Sequence, residues 1–206
     1  LEDEQFTRIT MTDGLSSNSL SSCLEDEEGA LWIGTGGGGL NRIGNGAITS
    51  YTSSDGLHED SIWAILADDQ QNLWMSGDRG IFRVNKRDLA EFDAGRIASI
   101  PSVAYGLADG MKTLEGYSLG SPSGCKTRDG RLWFATRAGA AMVDPERLEE
   151  RPPSPPVVIE EVVADGNFVE PQNGPVIPAR TQNVEIHFTA LSFLKPKAIQ
   201  FQYNLE

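Results

Sequence analysis

The sequence predicts an all-β fold in which one small antiparallel sheet is repeated along the chain. The motif Leu-Trp-Ile-Gly at residues 31–34 returns as Leu-Trp-Met-Ser at 73–76 and as Leu-Trp-Phe-Ala at 132–135. The first two copies lie about 42 residues apart, a period typical of four-stranded propeller blades. The third copy follows after about 59 residues, which indicates an insertion before it. Because one small sheet cannot bury both of its faces, the copies are expected to pack side by side.

Each copy predicts the same order of elements: a turn, a strand, a glycine and a second apolar strand. The first strand is predicted at residues 31–35, 73–77 and 132–136, and the second at 40–43, 81–84 and 140–143. In the first copy, residues 48–51 form a last strand. The alternating residues 6–11 align with it and are expected to be the outer strand of a preceding blade. We expect Trp32, Trp74 and Trp133 to stack between neighbouring blades as core.

The remainder of the chain predicts an insertion, a linker and a second module. Within the insertion, residues 88–92 are expected to form one or two helical turns. The proline-rich residues 149–156 predict a stiff extended linker between the blades, residues 1–148, and a module at residues 157–206. In that module the sequence predicts strands at 157–164, 184–188 and 199–203, with a turn at 165–167.

The composition excludes some classes of partner. A formal net charge of −13 argues against binding nucleic acid, because neutralising phosphates needs clustered Lys and Arg, and it argues equally against docking on anionic lipid. The two cysteines, Cys23 and Cys125, fall on blades that are not neighbours, so a disulfide is not expected and both are interpreted as small buried residues. The sequence shows neither a signal peptide nor a membrane-spanning helix.

The first copy resembles the two-component regulator propeller repeat over a long and specific pattern. The matching residues are Gly14, Leu15, Asn18, Leu20, Asp26, Gly29, Leu31, Trp32, Ile33, Gly34, Thr35, Gly37, Gly38, Gly39, Leu40 and Arg42. The third copy is similar to the last blade of the same family, although Tyr117, Leu119 and Ser121 depart from its usual pattern. The matching residues there are Asp109, Gly110, Glu115, Gly120, Pro122, Gly124, Asp129, Gly130, Leu132, Trp133 and Phe134.

The end of the chain resembles the start of the three-tyrosine immunoglobulin-like module that follows such propellers. The matching residues are Phe188, Ala190, Leu191, Ser192, Phe193, Pro196, Phe201, Tyr203, Leu205 and Glu206. The expected fold is therefore a partial β-propeller of about three blades followed by an incomplete immunoglobulin-like sandwich. Since a propeller closes with about four to eight blades, we expect the chain to be a fragment of a longer protein.

The resemblance implies an extracytoplasmic, periplasmic sensor region of a bacterial histidine kinase, hybrid two-component system or diguanylate cyclase. Such a region binds a small-molecule ligand, here expected to be carbohydrate-derived, and passes the signal to a kinase or cyclase outside this chain. It has no catalysis of its own, no cofactor and no direct membrane contact, and a homodimer of the full receptor stays open.

Five residues are candidates for the ligand site. Arg79 and Arg137 fall in the same loop of two copies, where they could grip an anionic or sugar-like ligand; a solvated loop or an inter-blade salt bridge is the alternative. Trp63, Tyr105 and Tyr117 could stack on a sugar face, and a plain core role is the alternative for each. Long loops on a rigid scaffold commonly carry such sites.

Catalytic and cofactor motifs are missing. Residues 34–39 fit G-x-G-x-x-G, but a hairpin signal rather than a helix follows, so no dinucleotide site is predicted. His58 and His187 occur without metal-ligand spacing. The acidic residues 25–28 and 68–69 recur at one blade position and are interpreted as turn signals rather than a glycosidase pair. A propeller-fold polysaccharide lyase or glycosidase, or a protein-interaction scaffold, remains the alternative function.

Overall fold

The computed structural model describes residues 6–44, 46–117, 122–148, 157–169, 177 and 181–190. The chain divides into two compact units, Leu1–Leu148 and Glu149–Glu206, and each is considered by itself. The predicted linker, residues 149–156, lies outside the described residues.

The first unit contains three antiparallel sheets with consecutive strand order, which is the topology of propeller blades. The strands are β1 Leu20–Glu25, β2 Leu31–Thr35, β3 Leu40–Gly44, β4 Ala47–Tyr51, β5 Ala64–Ala67, β6 Asn72–Ser76, β7 Ile81–Asn85, β8 Val103–Tyr105, β9 Gly124–Lys126, β10 Leu132–Thr136 and β11 Gly139–Val143. Blade one has the order β1-β2-β3-β4, blade two β5-β6-β7-β8, and blade three β9-β10-β11. The predicted all-β fold of repeated sheets is confirmed.

The core lies between the blades. Strand β5 lies against both β1 and β9, so the first strands of the three blades are adjacent. Side chains alternate along β5: Ile65 packs in the cluster shared with blade one, and Leu66 packs in the cluster shared with blade three. A strand buried on both faces needs a continuous apolar run rather than an alternating one, which explains the sequence Ala-Ile-Leu-Ala.

Two of the three repeated tryptophans, Trp32 and Trp74, belong to this core; Trp133 is only half-buried and lies in neither cluster, so its predicted core role is not confirmed. Trp32 is 2% exposed and its ring stacks on Tyr51 of the same blade, with 6.3 Å between ring centroids. Trp74 is fully buried. Each indole N–H donates to the carboxylate of the preceding turn, Trp32 to Asp26 at 2.8 Å and Trp74 to Asp68 at 2.7 Å. The recurrent acidic residues therefore form the turns, as predicted, and also orient the tryptophans.

The repeated Asp-Gly-Leu motif forms a second kind of turn. In the first copy, the Asp13 carboxylate accepts from the backbone N–H of Thr10 at 2.9 Å, and the next residue, Gly14, adopts φ +115°. The Asp55–Gly56 pair repeats this arrangement with φ +111° at the glycine. A side chain at such a φ is strained, so glycine is required here.

One predicted strand is absent. Residues 6–10 form no strand, and Met11–Asp13 is a 3₁₀ turn. Phe6 is 99% exposed. A strand needs a neighbour to satisfy its backbone groups, and no described strand pairs with these residues. The prediction of an outer strand at residues 6–11 is therefore wrong for this structure.

The predicted helical turns are confirmed as α1, Lys86–Asp93. The helix begins at an Asn85 cap, whose side-chain oxygen accepts from the backbone N–H of Arg87 at 3.0 Å. Leu89 is 1% exposed and packs in the core shared by blades one and two. The insertion between the second and third copies therefore covers that core.

The prediction that the cysteines are buried is wrong, because Cys23 and Cys125 are both exposed. They lie on β1 and β9, which each place one face against β5. On β1 the partly buried Leu24 packs on the core, and the alternation of the strand directs Cys23 the opposite way.

The described residues of the second unit form a three-stranded antiparallel sheet. Its strands are β12 Val157–Ala164, β13 Asn167–Val169 and β14 Val184–Ala190, in the order β13-β12-β14. Asp165 and Gly166 join β12 to β13 with positive φ values of 48° and 80°, the conformation of a tight hairpin turn. The predicted strands at 157–164 and 184–188 are confirmed. The predicted strand at 199–203 lies outside the described residues, so the immunoglobulin-like assignment stays a prediction.

Candidate functional site

The candidate site is one end of the first unit, where the β2–β3, β6–β7 and β10–β11 hairpins meet the segments that enter the next blades. Gly37 and Gly39 donate backbone N–H groups to the carbonyl of Asp60, at 3.2 and 2.8 Å. Gly116 donates to the carbonyl of Gly77 at 2.7 Å. We call this surface the loop face; it comprises residues 36–39, 63, 77–80, 115–117 and 136–139.

The first and third hairpins are closed by threonine hydroxyls. Thr35 Oγ1 donates to the carbonyl of Gly39 at 2.9 Å and accepts from the N–H of Gly38 at 2.9 Å. Thr136 Oγ1 donates in the same way to the carbonyl of Gly139 at 2.7 Å. A β-branched residue that ends a strand thus holds its own hairpin.

The second hairpin has Gly77 at the threonine position and is held instead by Glu59. The Glu59 carboxylate accepts the backbone N–H of Asp78 at 2.8 Å and that of Arg79 at 2.9 Å. A Cβ on Gly77 would collide with the carboxyl group of Glu59 and with the carbonyl of Ser61. Glu59 can therefore occupy this position only because residue 77 is a glycine and has no Cβ.

Burial dominates the electrostatics of this segment. Glu59 is 5% exposed, and burial raises the pKa of its carboxyl above the usual value; the two backbone N–H groups oppose that shift. Burial also lowers the pKa of His58, so the neutral imidazole is favoured. The ring of His58 lies 5.6 Å from that of Phe82, and its Nε2 lies 3.4 Å from the carbonyl of Arg79.

Trp63 lies where loops of all three blades meet. Its indole N–H donates to Oδ1 of Asp78 at 2.9 Å. A Cβ on Gly36 of blade one would lie 3.4 Å from the ring, and one on Gly116 would lie 3.0 Å from it. The ring is only half-buried, so part of it faces solvent on the loop face.

Arg79, Tyr117 and Arg137 also lie on the loop face, and all three are exposed. Tyr117 is 40% exposed, and its backbone N–H donates to the carbonyl of Ala135 at 3.1 Å. Arg137 Nε lies 2.7 Å from a carboxylate oxygen of Glu115 in an exposed ion pair. Among the described residues, Arg79 has no ion-pair partner.

The two arginines do share the same loop of neighbouring blades, but at different positions within it. Arg137 directly follows Thr136, whereas Arg79 directly precedes Gly80. They therefore present their guanidinium groups from different places on the loop face.

Tyr105 does not lie on the loop face. It is 8% exposed on β8, and its ring stacks on Trp74 with 5.3 Å between centroids. The structure thus brings Trp63, Arg79, Tyr117 and Arg137 to one surface and places Tyr105 in the core of blades two and three, where it has little surface to offer a ligand.

Sequence reasoning missed two residues that shape this surface, Glu59 and Asp78. A signal for Glu59 was present: the second copy lacks the threonine of the other two, and a replacement for its hydroxyl had to come from elsewhere. The position of that replacement, about 20 residues earlier in the chain, follows no local pattern.

As predicted, the glycine run at 34–39 leads into a strand, β3, rather than into a helix. It therefore lacks the helix N-terminus that would bind a pyrophosphate. Within the described part of the chain, no group of three or more His, Cys, Asp or Glu residues is placed to hold a metal ion. No helix in the described ranges is long and apolar enough to cross a membrane.

Residues 14–37 match the family model described as Two component regulator propeller. The predicted resemblance is confirmed: residues 14–37 of blade one match the repeat that this model describes. The match covers the Asp-Gly-Leu turn, strands β1 and β2 and the start of the glycine run.

Among solved structures, the chain is similar to extracellular domains from B. thetaiotaomicron. One is described as that of the hybrid two component system BT3049, with a TM-score of 0.46, 17% identity, and coverage of 90% of this chain and 31% of that one. Another is described as that of the one component system BT4673, with a TM-score of 0.48, 16% identity, and coverage of 84% and 25%. The chain therefore spans less than a third of those proteins. No curated protein matches the sequence.

Proposed function

We propose that this chain is part of the extracytoplasmic, non-catalytic sensor region of a bacterial two-component-type receptor. The observation that carries the proposal is the two-component regulator propeller repeat at residues 14–37. One solved structure of similar fold is described as the extracellular domain of a hybrid two component system, and the other as that of a one component system. The output domain, a kinase or cyclase, would belong to another part of the receptor, and the full receptor would act as a homodimer.

The ligand site is the loop face, and the ligand class is an oligosaccharide, preferably one that carries a negative charge. The half-buried ring of Trp63 and the exposed ring of Tyr117 offer flat apolar surface of the kind that packs on a sugar ring. Arg79 offers a planar guanidinium that can bind a carboxylate with two parallel hydrogen bonds. Arg137 can contribute once it leaves its exposed pair with Glu115, which costs little in water.

Signalling on this basis is a shift of population rather than bond chemistry. A ligand that binds one arrangement of the receptor better than another moves the equilibrium by its difference in affinity. Binding to loops from two or three blades suits this role, because a ligand that bridges them favours the one arrangement of these loops in which all its contacts are made.

The test is thermal unfolding of the chain with trigalacturonate as the anionic probe and cellotriose as the neutral one. A probe at about 100 times its dissociation constant should stabilise the chain by about 2.7 kcal/mol. Arg79→Ala should abolish the shift with trigalacturonate. Arg128→Ala is the matched control, because Arg128 is an exposed arginine on the turn that precedes β10 and should leave the shift unchanged.

The same samples separate the alternatives. Cleavage of either saccharide, detected as new reducing or unsaturated ends, would indicate a glycosidase or lyase instead of a sensor. No thermal shift with a broader panel of plant and host oligosaccharides would reject the carbohydrate ligand and favour a protein-interaction scaffold.

A further inference from the structure

Glu59 lies beneath the loop face and is unusual because it replaces, from a distant part of the chain, a hydroxyl that two other blades supply locally. Thr35 and Thr136 close their hairpins with their own side chains. Blade two has no such group: the corresponding residue is Gly77, and the hydroxyl of its neighbour Ser76 is buried without a hydrogen-bond partner in the described structure.

The consequence of this replacement is a chain of contacts from Glu59 to the candidate ligand groups. Its two carboxylate oxygens each accept one backbone N–H, so both loop residues of the β6–β7 hairpin are held by a single side chain. One of those residues is Arg79, whose guanidinium lies on the loop face. The other is Asp78, whose carboxylate accepts the indole N–H of Trp63.

We propose that Glu59 is a positioning residue: its buried carboxylate fixes the hairpin that presents Arg79, and through Asp78 it sets the orientation of the Trp63 ring. This inference rests on the proposed function insofar as it treats the loop face as a ligand site. Its structural content, that one glutamate orders Asp78, Arg79 and Trp63 together, can be measured without any ligand.

The geometry explains why the arrangement would serve a binding surface. A Thr hydroxyl closes a hairpin from within, and its effect ends there. Glu59, on the segment that enters blade two, connects that segment to the β6–β7 hairpin and, through it, to Trp63. The Trp63 ring and the Arg79 guanidinium are therefore ordered together. A ligand that engages Arg79 and Trp63 then meets both already in place, which lowers the entropy lost on binding.

The first measurement is amide hydrogen exchange of the ligand-free chain, resolved at Asp78 and Arg79 by NMR. In Glu59→Gln one carboxylate oxygen becomes an amide NH₂, which cannot accept, so one of the two backbone N–H groups loses its acceptor. We expect that amide to exchange about tenfold faster, while the amide that faces the remaining oxygen stays protected. The matched control is Asp60→Asn, because the adjacent Asp60 carboxylate accepts from the N–H and hydroxyl of Ser53 instead. The control should leave Asp78 and Arg79 protected.

The second measurement is a pH titration of tryptophan fluorescence. The signal of the Trp63→Phe variant is subtracted, so that only the emission of Trp63 remains. The charged groups that face Glu59 across the hairpin are Asp78 and Arg79, and His58 precedes it in the chain. We expect a step with a midpoint above the ordinary glutamate pKa of about 4.3. The step should be present in the natural chain and in Asp60→Asn, and absent in Glu59→Gln. A merely structural glutamate would not couple its titration to this indole.

Unchanged exchange at Asp78 and Arg79 in a folded Glu59→Gln chain would overturn the inference, as would persistence of the fluorescence step. Both readouts are independent of ligand. If no saccharide shifts the thermal transition while Glu59→Gln still loosens the hairpin, the proposed function fails and the positioning role stands. If trigalacturonate binds but the hairpin is indifferent to Glu59→Gln, the positioning role fails alone.

Discussion

Strands β6 of blade two and β10 of blade three occupy equivalent positions in the repeat, but different side chains hold the turns at their two ends. In blade two the turn before β6 is held by Asp68 and the hairpin after it by Glu59, and both residues are nearly buried. In blade three the corresponding groups are the hydroxyls of Thr127 and Thr136. The repeat therefore keeps its backbone geometry while it exchanges carboxylates for hydroxyls.

The difference teaches that the burial of a turn decides which group is useful there. Blade two packs against a neighbour on each side, so its donors cannot turn to water and need a protein acceptor. The Asp68 carboxylate accepts from four donors: the N–H groups of Gln70 and Asn72, the amide of Asn72 and the indole of Trp74. The Thr127 hydroxyl is itself a donor, to the carbonyl of Arg131, in a half-exposed turn where water can replace a lost bond.

The largest expected effect is the difference in stability lost when the turn before β6 and the turn before β10 are each disrupted. Asp68→Ala leaves buried donors without acceptors, including the indole N–H of Trp74, and should lower the free energy of unfolding by about 3 kcal/mol or more. Thr127→Ala removes a half-exposed hydroxyl and should cost about 1 kcal/mol. Urea unfolding of the two variants measures both values. Equal losses would show that burial of a turn does not control how much it contributes to the free energy of unfolding.

An intermediate effect is expected in the pH dependence of the stability that the β6–β7 and β10–β11 hairpins contribute. The folded chain raises the pKa of Glu59 above its unfolded value, so its contribution to stability is fully present below the unfolded pKa and is lost as pH rises through the folded pKa. The unfolding free energy of the natural chain minus that of Glu59→Gln should therefore fall as pH rises from about 4.3 upward.

Thr136→Val is the counterpart in blade three. A hydroxyl does not titrate in this range, so its effect on the unfolding free energy, about 0.5–1 kcal/mol, should be the same at every pH. Urea unfolding at several pH values between about 4 and about 8 provides both curves. A Glu59→Gln difference that rises with pH would contradict the burial of this carboxyl.

The smallest effect compares the ion pairs that join blade two to its neighbours. Lys86 reaches Asp26 of blade one at 3.2 Å with side chains 13% and 2% exposed, whereas Lys126 of blade three reaches Asp69 at 2.6 Å with side chains 33% and 80% exposed. Water screens the second pair despite its shorter distance. Double-mutant cycles should give a coupling of about 1 kcal/mol or more for Lys86–Asp26 and about 0.2–0.5 kcal/mol for Lys126–Asp69. The reverse order would mean that distance outweighs burial here.

Much of the fold was predictable because its signals are local. The repeated Leu-Trp motif marked the central strand of each blade, and the polar start of the insertion marked α1. Period-two alternation marked β14 in the second unit. The failure at residues 6–11 has the same origin, because alternation reports a tendency to pair and not the presence of a partner strand.

The candidate site was only partly predictable. Arg79 and Arg137 were found because loop residues of a repeat align by position, and Tyr117 because long loops commonly carry binding sites; the structure places all three on one surface. Alignment could not separate Trp63, which stays half-exposed between blades, from Tyr105, which β8 buries against Trp74. Burial of an aromatic ring depends on what packs against it, and that neighbour lies elsewhere in the sequence.

The sequence by itself determined the repeated antiparallel sheets, their turns and the resemblance of the first repeat to a known family. These follow from side-chain periodicity and from backbone preferences within a few residues, as at Gly14 and Gly56. Only the tertiary structure decided that Cys23 faces outward, that Tyr105 faces inward and that Glu59 holds a hairpin some 20 residues away. Those outcomes depend on which blades pack together, because burial and the capture of free N–H groups depend on neighbours in space and not on neighbours in sequence.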